Sequence, residues 1–220
     1  MRRIFCSAFA AGAGAGLLSY AIQAAALFPM IDRAELLEHP AAMPAGGHLF
    51  YAVLADLLAG IGFALMLVAG MALAADRRGV AVDLRRGLLW GAAGFLVFAL
   101  APALGLPPAL PGAETAGLAA RQLWWLGTAL ATAAGLAAIV FGRRVVWRIA
   151  GVAAILAPHL LGAPQGPAPG ASGGLTSPFA LASLAVSAVF WLVIGGGGGF
   201  FYDRLGAAAD RYAARPAAPR

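Results

Sequence analysis

Six apolar stretches separated by short polar segments make up most of this 220-residue chain. At a rise of 1.5 Å per residue, about 20 residues of α-helix cross the ~30 Å hydrocarbon core of a bilayer. The pattern therefore predicts an all-α, polytopic integral membrane protein that forms a single transmembrane domain of six helices. The predicted spans are residues 4–28, 49–74, 87–104, 122–142, 145–161 and 179–202.

The first and fifth of these stretches allow a second interpretation. The first resembles a signal peptide, with small residues at Ala24 and Ala26, but the apolar core of a signal peptide is usually about 7 to 15 residues long, so we predict a retained span. Residues 145–161 are short for a span, and a re-entrant segment there would leave five spans. Residues 203–220 are charged and rich in Pro and Ala, and they are predicted to form a tail on the surface.

The arginines divide unequally between the two sides of the predicted membrane. Arg33 and Arg121 lie on one side, and the other thirteen lie on the opposite side. Because cytoplasmic loops carry an excess of basic residues, this distribution predicts that both termini and the tail are cytoplasmic. The expected location is the inner (plasma) membrane, as a multi-pass protein.

Composition excludes several classes of protein. With 62% hydrophobic and 11% charged residues, the chain is too apolar for a soluble domain. The net charge of +6 comes from arginines in short loops, which act as topology signals, so we expect no nucleic acid partner. The absence of lysine rules out a G-x-x-x-x-G-K-[ST] phosphate loop, so ATP-driven transport would need another subunit. A single cysteine, Cys6, cannot form an internal disulfide.

The segment that joins the third and fourth spans contains more proline and tryptophan than a simple connector needs. Its prolines fix φ near −65° and restrict the residues before them, so residues 105–112 are predicted to form a stiff, extended turn. The segment leads into a pair of tryptophans of the kind found at membrane–water boundaries. The residues that give it this character are Pro102, Pro107, Pro108, Pro111, Gly112, Gln122, Trp124 and Trp125.

This segment resembles the signature of the CbtA family of probable cobalt transporter subunits, in which G-L-P-P-E-L-P-G precedes R-Q-x-W-W. The chain has G-L-P-P-A-L-P-G at 105–112 and R-Q-L-W-W at 121–125, with Ala109 where the family has Glu. Further similarity is found in G-L-L-W-G-A-A-G-F at 87–95 and P-H-L-L-G-A-P-Q at 158–165. The resemblance implies a subunit for cobalt uptake that works with a small single-span membrane protein of the CbtB type.

The predicted topology places all three histidines on the outer side, where acidic residues also occur. Neutral imidazole and carboxylate oxygen suit first-row divalent cations, although a single histidine is more often solvated or hydrogen-bonded than a metal ligand. Glu35 precedes His39 by four residues, so one helical turn would bring both to one face. The candidate metal ligands are His39, His48, His159, Glu35 and Glu38, with Glu114 as a substitute for the carboxylate missing at Ala109.

Asp56 lies inside the second span, where an ionised carboxylate is costly unless it is paired or hydrated. Arg121 is the only basic residue near enough in depth to pair with it. We predict that the two form either a structural ion pair or part of an ion pathway.

Glycines predict close helix packing at two places. Gly12 and Gly16 form a G-x-x-x-G pair, which either lets another helix approach or belongs to a Gly/Ala-rich helix with no particular partner. Gly60 would let a neighbouring helix approach the second span. The run Gly195–Gly199 either packs tightly against other helices or is locally unwound along a cavity.

Two functions fit these observations. The first is a membrane subunit that captures a divalent metal, cobalt, at the outer face and passes it through the helix bundle. The alternative is a scaffold or assembly subunit without an ion pathway of its own. We expect no enzymatic activity, because no H-E-x-x-H or Ser/His/Asp set occurs, and we expect no permanently bound cofactor.

Overall fold

The computed structural model describes residues 1–38, 49–110, 116–166 and 173–213. Within these ranges all regular secondary structure is helical, and the predicted all-α membrane class is confirmed. The helices are α1 (Arg2–Ala26), α2 (Phe28–Glu38), α3 (Leu49–Arg78), α4 (Leu84–Ala103), α5 (Leu118–Phe141), α6 (Val145–Leu161) and α7 (Gly173–Ala213).

Five helices in the described residues are long and apolar enough to cross a membrane. α6 is also apolar, but its 17 residues measure only about 26 Å along the axis. It occupies residues 145–161, the stretch for which the sequence left crossing or re-entry open. A sixth crossing through α6 therefore stays a prediction. The five long segments are Arg2–Ala26, Phe50–Arg78, Leu84–Ala103, Leu118–Phe141 and Thr176–Ala208.

Helical structure extends furthest beyond the predicted spans at two places. A break of one residue at Leu27 separates α1 from α2, so the first predicted polar loop begins as a helix that continues to Glu38. Pro29 does not prevent this, because it lies in the first turn, where its missing N–H removes no helical hydrogen bond. α7 begins before residue 179 and continues to Ala213, so the first part of the predicted tail is helical.

α4 widens into a π-helical segment over Leu96–Leu100, just before Pro102. The N–H of Ala101 donates to the carbonyl of Leu96, five residues back. In a regular α-helix the ring of Pro102 would collide with the carbonyl of Phe98. The wider turn relieves this collision, and the helix continues past the proline before it ends.

The chain divides into two compact units. Unit 1 comprises Met1–Tyr20, His48–Ala92 and Val189–Arg220, and unit 2 comprises Ala21–Gly47 and Ala93–Ala188.

Unit 1 is held together by close contacts around the glycine run Gly195–Gly199, which is α-helical throughout. A Cβ atom added to Gly195 would lie 2.6 Å from the Cα atom of Gly91, and one added to Gly198 would lie 2.8 Å from Cγ2 of Val68. Both distances are too short for a side chain at either position. The prediction of tight packing is confirmed, and the alternative of local unwinding is wrong.

The G-x-x-x-G pair of α1 makes a second close contact in unit 1. A Cβ atom added to Gly12 would lie 2.5 Å from the carbonyl oxygen of Gly60, and one added to Gly16 would lie 2.5 Å from that of Asp56. The backbones of α1 and α3 therefore meet without intervening side chains, as the spacing of these glycines predicts.

Candidate functional site

Three segments that carry the family resemblance meet around the indole ring of Trp124 in unit 2. The ring lies edge-on to the imidazole of His159, with centroids 5.8 Å apart and an interplanar angle of 70°. It also covers Gly105, where an added Cβ atom would lie 2.6 Å from Cζ2 of Trp124 and 3.0 Å from Cβ of Ala163. Residues far apart in sequence, from the Pro-rich turn, from α5 and from the end of α6, thus form one cluster.

The Pro-rich turn is anchored to unit 2 by Leu110, which is buried with Leu27, Ala34, Phe179 and Val186. These residues belong to the α1–α2 break, α2 and α7. The turn is non-helical through residues 107–110, as the prolines predict. Pro107 and Pro108 lie in this part, whereas Pro111 and Gly112 lie outside the described residues.

Gly162 ends α6 and directs the following residue back towards the cluster. Its φ of 85° lies in the left-handed region that glycine adopts without strain, and its N–H donates to the carbonyl of Pro158 at 3.1 Å. Ala163 can therefore reach Gly105, and His159 lies in the last turn before this cap.

α5 and α6 form a tight helical hairpin with a turn of three residues, 142–144. A Cβ atom added to Gly135 would lie 2.5 Å from the carbonyl oxygen of Gly151 and 2.6 Å from Cγ1 of Ile155. The two backbones are therefore in direct contact near the turn, whereas Trp124 and His159 connect the same helices at the far end.

Four buried side-chain atoms in the described part of the chain lack a hydrogen-bond partner there. Thr128 and Thr132 are 0% and 3% exposed. A threonine hydroxyl in a membrane helix usually donates to a backbone carbonyl of the preceding turn. Each buried polar group left without a partner costs about 1–3 kcal/mol. The four atoms are Trp124 Nε1, Thr128 Oγ1, Thr132 Oγ1 and His159 Nε2.

Sequence reasoning missed Thr128 and Thr132. They follow Trp124 at intervals of four residues, so all three lie on one face of α5. This spacing was the available signal, but a threonine pattern does not show whether its hydroxyls are buried or bonded.

The predicted metal ligands are only partly described. Glu35 is half-buried in α2, and the helix continues to Glu38. His39, His48 and Glu114 lie outside the described residues. Within the described ranges, no three His, Cys, Asp or Glu residues come close enough to hold a metal ion. The ligand set therefore stays a prediction, in which His159 is the one histidine with described surroundings.

The predicted pairing of Asp56 with Arg121 also stays a prediction. Asp56 is half-buried on α3 in unit 1, and Arg121 lies in the first turn of α5 in unit 2. Of the other motif residues on α5, Gln122 is exposed and Trp125 packs against Phe98, with ring centroids 6.1 Å apart.

Comparison with known proteins identifies the family. No curated protein and no solved structure matches the chain. The family model described as probable cobalt transporter subunit (CbtA) matches residues 1–203, which is nearly the whole chain. This match includes every residue of the Trp124 cluster, and the chain belongs to the CbtA family of probable cobalt transporter subunits.

Proposed function

We propose that this subunit captures a cobalt ion at the outer face of the inner membrane and passes it through its helices. The observation that carries the proposal is the convergence of the family's motif segments on the ring of Trp124, which contacts His159; Nε2 of His159 is buried without a hydrogen-bond partner in the described residues. A neutral imidazole nitrogen is a good ligand for a first-row divalent cation.

Capture is assigned to five residues that the predicted topology places on the outer side. Imidazole nitrogens and carboxylate oxygens at the mouth would concentrate the ion while leaving the membrane interior nearly free of charge. Asp56 and Arg121 would lie deeper, as an ion pair or as part of the path. The capture residues are His39, His48, His159, Glu35 and Glu38.

The proposed transporter includes a second component. Membership of a family of transporter subunits implies a partner, and we propose a small single-span membrane protein of the CbtB type. The lack of a phosphate loop in this chain means that energy from ATP would also have to come from a partner.

The direct test is cobalt accumulation in cells that express this chain together with the presumed small partner. His39→Ala, His48→Ala and His159→Ala, alone and combined, should reduce accumulation, with the triple variant lowest. Acidifying the external medium should reduce uptake by the parent, because imidazole binds metal only when deprotonated. Equal membrane levels of each variant are the control. A triple variant that accumulates cobalt like the parent would favour the alternative of a scaffold subunit.

Orientation can be tested separately in a Cys6→Ser background. Single cysteines at Glu38 and Ser172 should react with a membrane-impermeant reagent from outside, whereas cysteines at Val80 and Ala208 should not. Labelling of the last two from outside would overturn the topology. Labelling of Ser172→Cys only from the cytoplasm would show that α6 is re-entrant.

A further inference from the structure

The buried polar face of α5 is not explained by the proposed capture site. Trp124, Thr128 and Thr132 lie on this face, and His159 of α6 contacts Trp124. We call these four residues the polar seam. By helical rise the seam extends about 12 Å along α5, from Trp124 to Thr132.

The seam lies between two contacts that join α5 to α6. One is the contact of Trp124 with His159, and the other is the backbone contact of Gly135 with Gly151. Residues 124, 128, 132 and 135 fall within about 80° of arc on the helix, so both threonines lie on the face that these contacts define. Their hydroxyls are therefore enclosed in the unit and do not face lipid.

A permanently dry seam would be better built from valine. Valine has nearly the shape of threonine and would fill the same space without a buried hydroxyl lacking a partner. Both threonine hydroxyls lack a partner in the described residues, and so do the indole N–H of Trp124 and Nε2 of His159. These four atoms therefore point to a ligand that forms hydrogen bonds with them at another stage of the protein's cycle.

The chemistry of the four atoms fits water around a cation. Threonine oxygens and a neutral imidazole nitrogen accept hydrogen bonds, and the waters bound to a divalent cation are strong donors. The indole N–H of Trp124 can donate to a further water outside that shell. A desolvated cation would need several charged ligands, and Thr128 and Thr132 carry no charge.

We propose that the polar seam is the closed state of a path for a hydrated divalent cation. The α5–α6 hairpin opens at the Trp124–His159 end, while the Gly135–Gly151 contact near the turn remains closed. Water and the hydrated ion then enter along Thr128 and Thr132. This inference rests on the proposed cobalt uptake for the identity of the cation, but the entry of water does not depend on it.

Cysteine accessibility tests the entry of water directly. In the Cys6→Ser background, Thr128→Cys and Thr132→Cys are compared with Leu130→Cys, which lies between them on α5 with a side chain 62% exposed to the surroundings of the helix. A charged methanethiosulfonate reagent reacts with a hydrated thiolate and very slowly with a thiol in lipid or a dry interior. Both threonine positions should react at least about ten times faster than Leu130→Cys. Rates equal to that of Leu130→Cys would overturn the proposal.

A second experiment tests the passage of the ion. Cobalt accumulation is measured in the double variant Thr128→Val/Thr132→Val and in Thr128→Ser/Thr132→Ser, which keeps the hydroxyls. The valine variant should accumulate about ten-fold less cobalt than the parent, and the serine variant should stay within about two-fold, because only the first loses the acceptors. Thermal unfolding in detergent should show that the valine variant is at least as stable as the parent.

The outcomes separate this inference from the proposed function. A parent that accumulates cobalt, together with a valine variant that does the same, would overturn the path along the seam and leave cobalt uptake intact. A parent that accumulates no cobalt, together with rapid labelling of Thr128→Cys, would refute cobalt as the cargo but support a hydrated seam.

Discussion

The two units of this membrane protein bury their polar groups in opposite ways. In unit 1 the hydroxyl of the buried Ser7 donates to the carbonyl of Arg3 at 2.6 Å. The four buried side-chain atoms without a partner in the described residues all belong to unit 2. Unit 1 thus satisfies the buried hydroxyl of Ser7, whereas unit 2 contains four buried polar atoms without a partner in the described residues. Under the proposed function, this difference would put the ion path in the second unit.

The largest effect should come from adding one methyl group to the glycine contacts of unit 1. In Gly195→Ala the new Cβ would overlap the backbone of Gly91, which cannot move as a side chain can. We expect a loss of about 3 kcal/mol or more in the free energy of unfolding, measured by thermal denaturation in detergent. Gly14→Ala is the matched control, because no atom lies within 4 Å of its new Cβ. It should be unchanged or more stable by about 1 kcal/mol, since alanine favours a helix. Equal behaviour of the two variants would contradict the packing of unit 1.

A smaller effect is expected from the same change in unit 2. In Gly105→Ala the new methyl group meets the outer edge of the Trp124 ring, and a side chain can shift where a backbone cannot. We expect a loss of about 1–2 kcal/mol in stability and a reduced cobalt accumulation, because the ring moves relative to His159. Gly127→Ala, inside α5 and with no atom within 4 Å of its Cβ, serves as the control for unit 2. Full activity of Gly105→Ala would show that the position of Trp124 is unimportant.

The smallest change in stability should follow from removing the threonine hydroxyls. Thr128→Val and Thr132→Val lose no hydrogen bond of the described structure, so each should leave the free energy of unfolding unchanged or raise it by up to about 1 kcal/mol. Ser7→Ala in unit 1 is the contrasting case, because it removes a hydrogen bond and should destabilise by about 1 kcal/mol. Strong destabilisation by either valine would mean that the hydroxyls are bonded in the closed state.

The sequence predicted the features that depend on hydropathy and on glycine spacing. The apolar runs indicated the five long helices, and Gly12, Gly16 and Gly60 indicated positions where a neighbouring helix could approach, without showing which helix it was. These patterns act through backbone geometry and hydrophobicity, which can be seen in the residues themselves.

Features that depend on tertiary contacts could not be predicted in the same way. The polar residues of the first loop concealed α2, whose apolar side packs with Leu110 and Phe179. The π-helical segment before Pro102 forms because the helix continues past this proline, whose ring would otherwise collide with the carbonyl of Phe98. The exposure of a threonine hydroxyl depends on which helices surround it, so the polar seam became visible only in the assembled unit.

Cobalt uptake by His159→Ala tests the central claim most directly, because His159 belongs both to the proposed capture site and to the polar seam. Uptake is followed in right-side-out vesicles that contain the parent or the variant, at equal protein levels and with the presumed small partner. We predict that the parent concentrates cobalt and that His159→Ala falls close to vesicles lacking this chain, while thermal unfolding confirms that the variant is folded. Uptake by a folded His159→Ala at the rate of the parent would contradict the account.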